Sequence, residues 1–265
     1  MLFVELLNLD QDILPYYLLM FVRMSGLFLI TPIFSRRNVP GILKAGLCVA
    51  LTYILATAIP PQPDFASGNM LSYLLMVLME LSVGMMLGFI SLFFFNAVMV
   101  AGQVIDVEIG MGMASVLDPQ SGVRSSVSGT LLNLALILYF LINNGHLRLI
   151  AILGQSVQRI PVGQARISVE LAWFSAEQFT LAFTLAASLM LPLIGGALLT
   201  ETAMGILMRA IPQLNAYMVG IPLKVLVGLT ILLFMQPFYI GYSDRLFERM
   251  FIASEQVFRL MGGIT

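Results

Sequence analysis

The chain alternates long apolar runs with short polar joints. Apolar runs occupy roughly residues 13–34, 42–60, 70–105, 127–143, 177–200 and 204–238. About 20 residues of helix cross a hydrocarbon core of about 30 Å, and most of these runs reach that length. None shows the alternating ten-residue segments of a membrane barrel, so the pattern predicts helices throughout. The expected fold is an all-α, polytopic integral membrane protein of long, kinked helices and helical hairpins, forming one domain over residues 1–265. Two runs fit poorly as plain spans. The third makes about 54 Å of helix, so it has to kink, tilt strongly or project from the bilayer. Residues 204–224, MGILMRAIPQLNAYMVGIPLK, set Pro212, Pro222, Arg209, Asn215 and Lys224 inside membrane-grade sequence. Hydrocarbon tolerates broken helices and polar side chains only where protein or water receives them. This stretch therefore points to an assembly or a passage.

Composition agrees. The chain is 59% hydrophobic and 10% charged, with a mean hydropathy of +0.96, whereas a soluble domain is about a quarter charged. A net charge of −1 gives no bulk electrostatic case for nucleic acid. The lone Cys48 excludes an internal disulfide, and the lone His146 argues against a zinc site. The first run is too long for the apolar core of a signal peptide and is read as retained. Arg36, Arg37 and Lys44 crowd the first connector, and Arg245, Arg249 and Arg259 load the tail. The positive-inside rule places both in the cytoplasm and the amino terminus outside. The polar stretch 143–176 is too short and mixed to hold a core of its own. Residues 243–262 read as an amphipathic tail helix, lying on the membrane surface or packing on a partner.

Catalysis has little to stand on, and no cofactor is expected. There is no phosphate-binding loop, no His-Glu-x-x-His and no Gly-x-Ser-x-Gly. The ionisable residues within or beside apolar runs are Arg23, Glu80, Asp106, Glu108, Glu201, Arg209 and Lys224. Such groups either act in function or pair across helices or subunits and fix register. Glu80 stands alone on its run, which favours pairing over a proton relay, and Asn215 joins the list of candidate polar contacts. Asp106 and Glu108 flank a single residue, so on a helix they point apart and make a poor catalytic dyad. Gly84 and Gly88 form a small-xxx-small pair that allows close helix approach. The loop of about 106–126 carries Gly110, Met111, Gly112 and Met113, a permissive backbone with soft side chains. It suits a seal that moves aside for cargo, or an ordinary buried re-entrant connector.

Several of these residues resemble one family. Pro32-Ile33-Phe34 with Pro40 and Lys44, Ala101-Gly102-Gln103-Val104-Ile105, Asp118-Pro119, and above all Pro212-Gln213-Leu214-Asn215 running through Val219-Gly220 to Pro222-Leu223-Lys224 are similar to the R subunits of the flagellar type III export gate. The resemblance covers essentially the whole chain. It implies a non-enzymatic protein of the bacterial inner membrane and the flagellum basal body, in one copy with several P and Q subunits. The B subunit, and with it the A subunit, then joins this core. The implied assembly is a closed helical cone, much of it raised above the bilayer, in which the loop 106–122 plugs the pore against export substrates. The related T subunit of virulence secretion systems is the nearest alternative. A secondary transporter for a small solute is another, though the inverted repeats common in such proteins are not visible.

Overall fold

The computed structural model describes residues 13–36, 39–59, 69–111, 126–211 and 216–262, leaving aside the side chains of Ala216 and Tyr217. Eight helices fill these residues, with no strand among them: α1 Ile13–Ile30, α2 Gly41–Ala58, α3 Met70–Ile109, α4 Val127–Ile142, α5 Gly145–Arg159, α6 Val169–Ala210, α7 Ala216–Phe234 and α8 Gln236–Gly262. Four of them, α1, α2, α3 and α6, are long and apolar enough to cross a membrane, or up to six spans if α4 with α5 and α7 with α8 each count as one. The protein is an all-α polytopic membrane protein.

The overlong third run is a single helix of 40 residues, about 60 Å at helical rise. It contains no proline to break it. The fifth run belongs to a helix of 42 residues that starts inside the stretch read as polar and continues through Pro192. A proline in a helix removes one donor, which membrane helices accommodate by local adjustment. Asn144 adopts the left-handed conformation, φ 55°, between α4 and α5. Asn is among the few non-glycine residues that enter this region readily. A break at Met235 bends α8 from α7 by 61°.

The chain divides into two compact units. The first comprises residues 1–93, 144–178 and 249–265. In it α1 packs on α2 and, glycine to glycine, on α3. A Cβ on Gly26 would meet the Leu81 carbonyl oxygen and the Met85 nitrogen at 2.8 Å, and one on Gly84 would run into the backbone of Arg23. The small-xxx-small pair thus faces α1 of the same chain, with Gly88 against Ile30. In α5, Leu149, Ile152, Leu153, Ser156 and Val157 are buried at helical spacing. The end of α8 closes this unit: the Arg166 N–H donates to the Met261 carbonyl at 3.1 Å, and Arg148 lies 4.2 Å over the Phe251 ring.

The second unit comprises residues 94–143 and 179–248. Gly102 brings α3 against the backbone of Gly129 in α4. The rings of Phe95, Phe140 and Phe247 pack with centroids 4.9 to 5.9 Å apart. The Tyr239 hydroxyl donates to the Leu132 carbonyl at 2.5 Å. Leu246 of the amphipathic tail helix is buried, as are Met250 and Val257 in the part of that helix that belongs to the first unit. That helix therefore turns its apolar side into its own chain, which differs from both placements expected for it. The reason is the break at Met235 together with the contacts of Met261, which hold the tail to the fold.

Candidate functional site

Three polar arrangements stand out in this apolar molecule. In the first unit, Arg23 of α1 and Glu80 of α3 are both fully buried. Arg23 Nε donates to Glu80 Oε2 at 2.5 Å, and Nη1 donates to the Ile160 carbonyl at 3.0 Å and to Ser156 Oγ at 3.4 Å. The second Glu80 oxygen accepts the Gly163 N–H at 2.8 Å. Gly163 sits at φ +84°, a conformation that favours glycine. Buried charges persist only when paired and hydrogen-bonded, because desolvation otherwise outweighs their attraction. The pair therefore locks α1, α3, α5 and the turn after α5 into one register. Arg23 Nη2 has no partner among the described residues.

The second arrangement lies where α3 ends. Asp106 is buried and accepts from Ser126 Oγ at 2.7 Å and from the Ser128 N–H at 3.1 Å. Ser126 is the N-cap of α4, its Oγ accepting the Gly129 N–H at 2.8 Å. A carboxylate at a helix N-terminus satisfies orphan donors and meets the positive end of the helix dipole. Asp106 thereby staples the two ends of the intervening loop together. Of the loop's candidate seal, Gly110 takes φ +88° and Met111 is half-buried. Gly112 and Met113 lie outside the described residues, as do Asp118, Pro119 and Asn215. Glu108 is half-exposed with no ion-pair partner among the described residues.

The third arrangement joins α6 to α7 in the second unit, where Lys224 Nζ donates to Glu201 Oε1. The Glu201 side chain is 53% exposed and Lys224 20%, so this pair faces outward from the fold. Arg209 is exposed and has no ion-pair partner among the described residues. Cys48 is buried. Among the described residues no three His, Cys, Asp or Glu side chains gather as metal ligands.

Neither Ser126 nor the turn at Ile160–Gly163 was singled out from the sequence. Ser126 carried a signal, since a serine directly before an apolar run is an N-cap signature. The Ile160 carbonyl and Gly163 N–H carried none, being backbone groups.

Among the described residues these polar groups tie helices to one another within each unit. The family described as bacterial export proteins, family 1, matches residues 14–250. The chain belongs to this export family. It is 34% identical over 230 residues to the flagellar biosynthetic protein FliR of Bacillus subtilis (strain 168), covering 86% of this chain and 88% of the relative. It is 30% identical over 232 residues to the Escherichia coli (strain K12) protein of the same name, with 87% of each covered. The Yop proteins translocation protein T of Yersinia pestis matches at 29% over 220 residues, 82% of this chain and 84% of that one. An export protein of this family works within a secretion apparatus, and the outward-facing Glu201–Lys224 pair belongs to a surface rich in exposed apolar side chains such as Leu198, Leu199 and Leu226.

Proposed function

We propose that the chain is a non-enzymatic core subunit of the flagellar type III protein export gate, set in the bacterial inner membrane at the flagellum basal body. There it lines and closes a protein-conducting channel with P and Q subunits, with the B and A subunits of the apparatus joining this core. The likeness to the two flagellar relatives over nearly nine-tenths of both chains carries the reading. The geometry supports it: helices too long for one bilayer crossing, ion-paired polar groups on an apolar exterior, and a glycine- and methionine-containing loop tied at its base by Asp106.

In this reading the full chain acts as one gate subunit. Residues 110–113 form a seal across the lumen, and an unfolded export substrate displaces it. Asp106 holds the hinge of the seal closed at its base. Glu201 and Lys224, with Arg209, Asn215 and Glu108, make polar contacts to neighbouring subunits, whereas Arg23 and Glu80 serve within the chain. Energy comes from other components. The likeness to the Yersinia protein favours a second reading, a T subunit of a virulence secretion system.

Native mass measurement of the complex purified through this chain tests the proposal. A large hetero-oligomer containing one copy of this chain supports it. A monomer or homodimer that takes up a small solute overturns it in favour of a transporter. Deletion of the gene separates the two export readings: loss of flagella supports the first, and loss of effector secretion with flagella intact supports the second.

A further inference from the structure

Of the four helices that are long enough to span by themselves, α2 is the one the chain covers least. Ile42, Leu43, Leu47, Val49, Tyr53 and Ile54 are all exposed, and only Cys48, Thr52 and Ala56 are buried. A Cβ added to Gly41 or Gly46 would meet nothing within 4 Å among the described residues, so this apolar side has open space beside it. From Ala45 to Ile59 it carries no charge. Its amino-terminal end is different. Lys44 Nζ donates to the Arg36 carbonyl at 3.0 Å, which folds the connector back and brings two cationic residues to one corner. Arg36 is exposed and Lys44 half-buried. An ammonium has three donors and a guanidinium five, so this hydrogen bond leaves most of their donors available.

We propose that this corner and the side of α2 below it form a binding site for an anionic phospholipid. The phosphate sits between Arg36 and Lys44, and an acyl chain lies along the open side of α2. Charge complementarity selects this occupant. A zwitterionic lipid satisfies the apolar side equally well but gives the two cations no net counter-charge. A soluble phosphate satisfies the cations but leaves the apolar side bare. The cytoplasmic leaflet, where the basic connector is expected, is the leaflet rich in anionic lipid. The site rests on the membrane-spanning fold and not on the gate reading, so either can fail alone.

The test is thermal unfolding of the purified full-length protein, with whatever subunits accompany it, in detergent titrated with phosphatidylglycerol, phosphatidylcholine or inorganic phosphate. Phosphatidylglycerol is expected to raise the midpoint at concentrations where the other two do not, since a ligand that binds only the folded state stabilises it. In the variant with Arg36→Gln and Lys44→Gln, its apparent affinity should fall about tenfold or more, for the loss of two cations near the headgroup. The charge-conserving Arg36→Lys with Lys44→Arg should keep the preference, which separates loss of charge from loss of fold. Equal shifts with the two lipids overturn the proposal, as does a Gln variant that retains the preference. A shift reproduced by inorganic phosphate also overturns it, by marking a plain anion site.

Discussion

Two ion pairs of the same chemistry sit in opposite surroundings. Arg23 and Glu80 have no exposed side-chain surface, while Glu201 is about half-exposed and its partner Lys224 a fifth exposed. The buried pair takes its further partners from within the chain, from Ser156, the Ile160 carbonyl and the Gly163 N–H. The outward pair has each other and then whatever lies outside the fold. A buried pair is costly to break, because the partner left behind is an uncompensated charge. An exposed pair contributes little to the fold itself. The first is therefore a structural lock, and the second is available to an assembly. In a membrane protein a charge inside an apolar run does not by itself say which role it has. Its exposure decides.

The largest effect that would sharpen this contrast is at the buried pair. Glu80→Leu should destabilise the protein by about 3–5 kcal/mol, read as loss of the folded protein from membranes or a steep fall in unfolding midpoint. Arg23→Met combined with Glu80→Leu should recover much of that loss, since no lone charge remains. If the single variant is as stable as the parent, the pair is not a lock.

The glycine contacts come next. Gly84→Val places a branched side chain against the backbone of Arg23 and should cost about 1–3 kcal/mol or more by forcing α1 and α3 apart. Gly195→Ala, which would meet nothing within 4 Å, should change stability by about 0.5 kcal/mol or less. Chemical denaturation in micelles compares the two, and equal effects would remove the case for close α1–α3 packing.

Asp106→Ala should cost about 1–2 kcal/mol through loss of its bonds to Ser126 Oγ and the Ser128 N–H at the start of α4, with Asp106→Asn retaining part of it. Faster proteolysis within 107–125 in the Ala variant is the expected local signature. Protection equal to the parent would detach Asp106 from the loop.

At the outward pair the effect on stability should be small, about 0–1 kcal/mol in either variant. Its effect should appear in assembly: Lys224→Arg keeps the charge and is tolerated, while Lys224→Leu weakens recovery of the complex. Equal loss of function in both, with assembly intact, would mean Lys224 does chemistry.

The fold class was legible because apolar runs of span length leave a membrane protein few alternatives. The 40-residue α3 was visible as an overlong run. α5 was not, because its polar side dilutes the hydropathy of a helix whose Leu149, Ile152, Leu153 and Val157 are buried. The full length of α6 was not legible, since it begins at Val169 inside the polar stretch and runs on past the fifth apolar run to Ala210. Arg23 and Glu80 were identifiable as intramembrane charges. Their pairing was not, since 57 residues separate them and three of the groups that complete the site are a serine and two backbone atoms. The apolar side of the tail helix was legible, but what covers it depends on long-range contacts with Arg166 and Arg148.

The proposed movable seal across a protein-conducting channel is put to the test by the ion conductance of cells carrying the whole gate. Removal of Gly110 through Ala114 takes away soft side chains while leaving the Asp106–Ser126 staple in place. A closed gate has to exclude ions as well as protein, and conformable side chains achieve this without a rigid fit. Raised conductance and slowed growth, with the complex still assembled, are the expected outcome. Background conductance with assembly lost would contradict it and make the loop a structural connector.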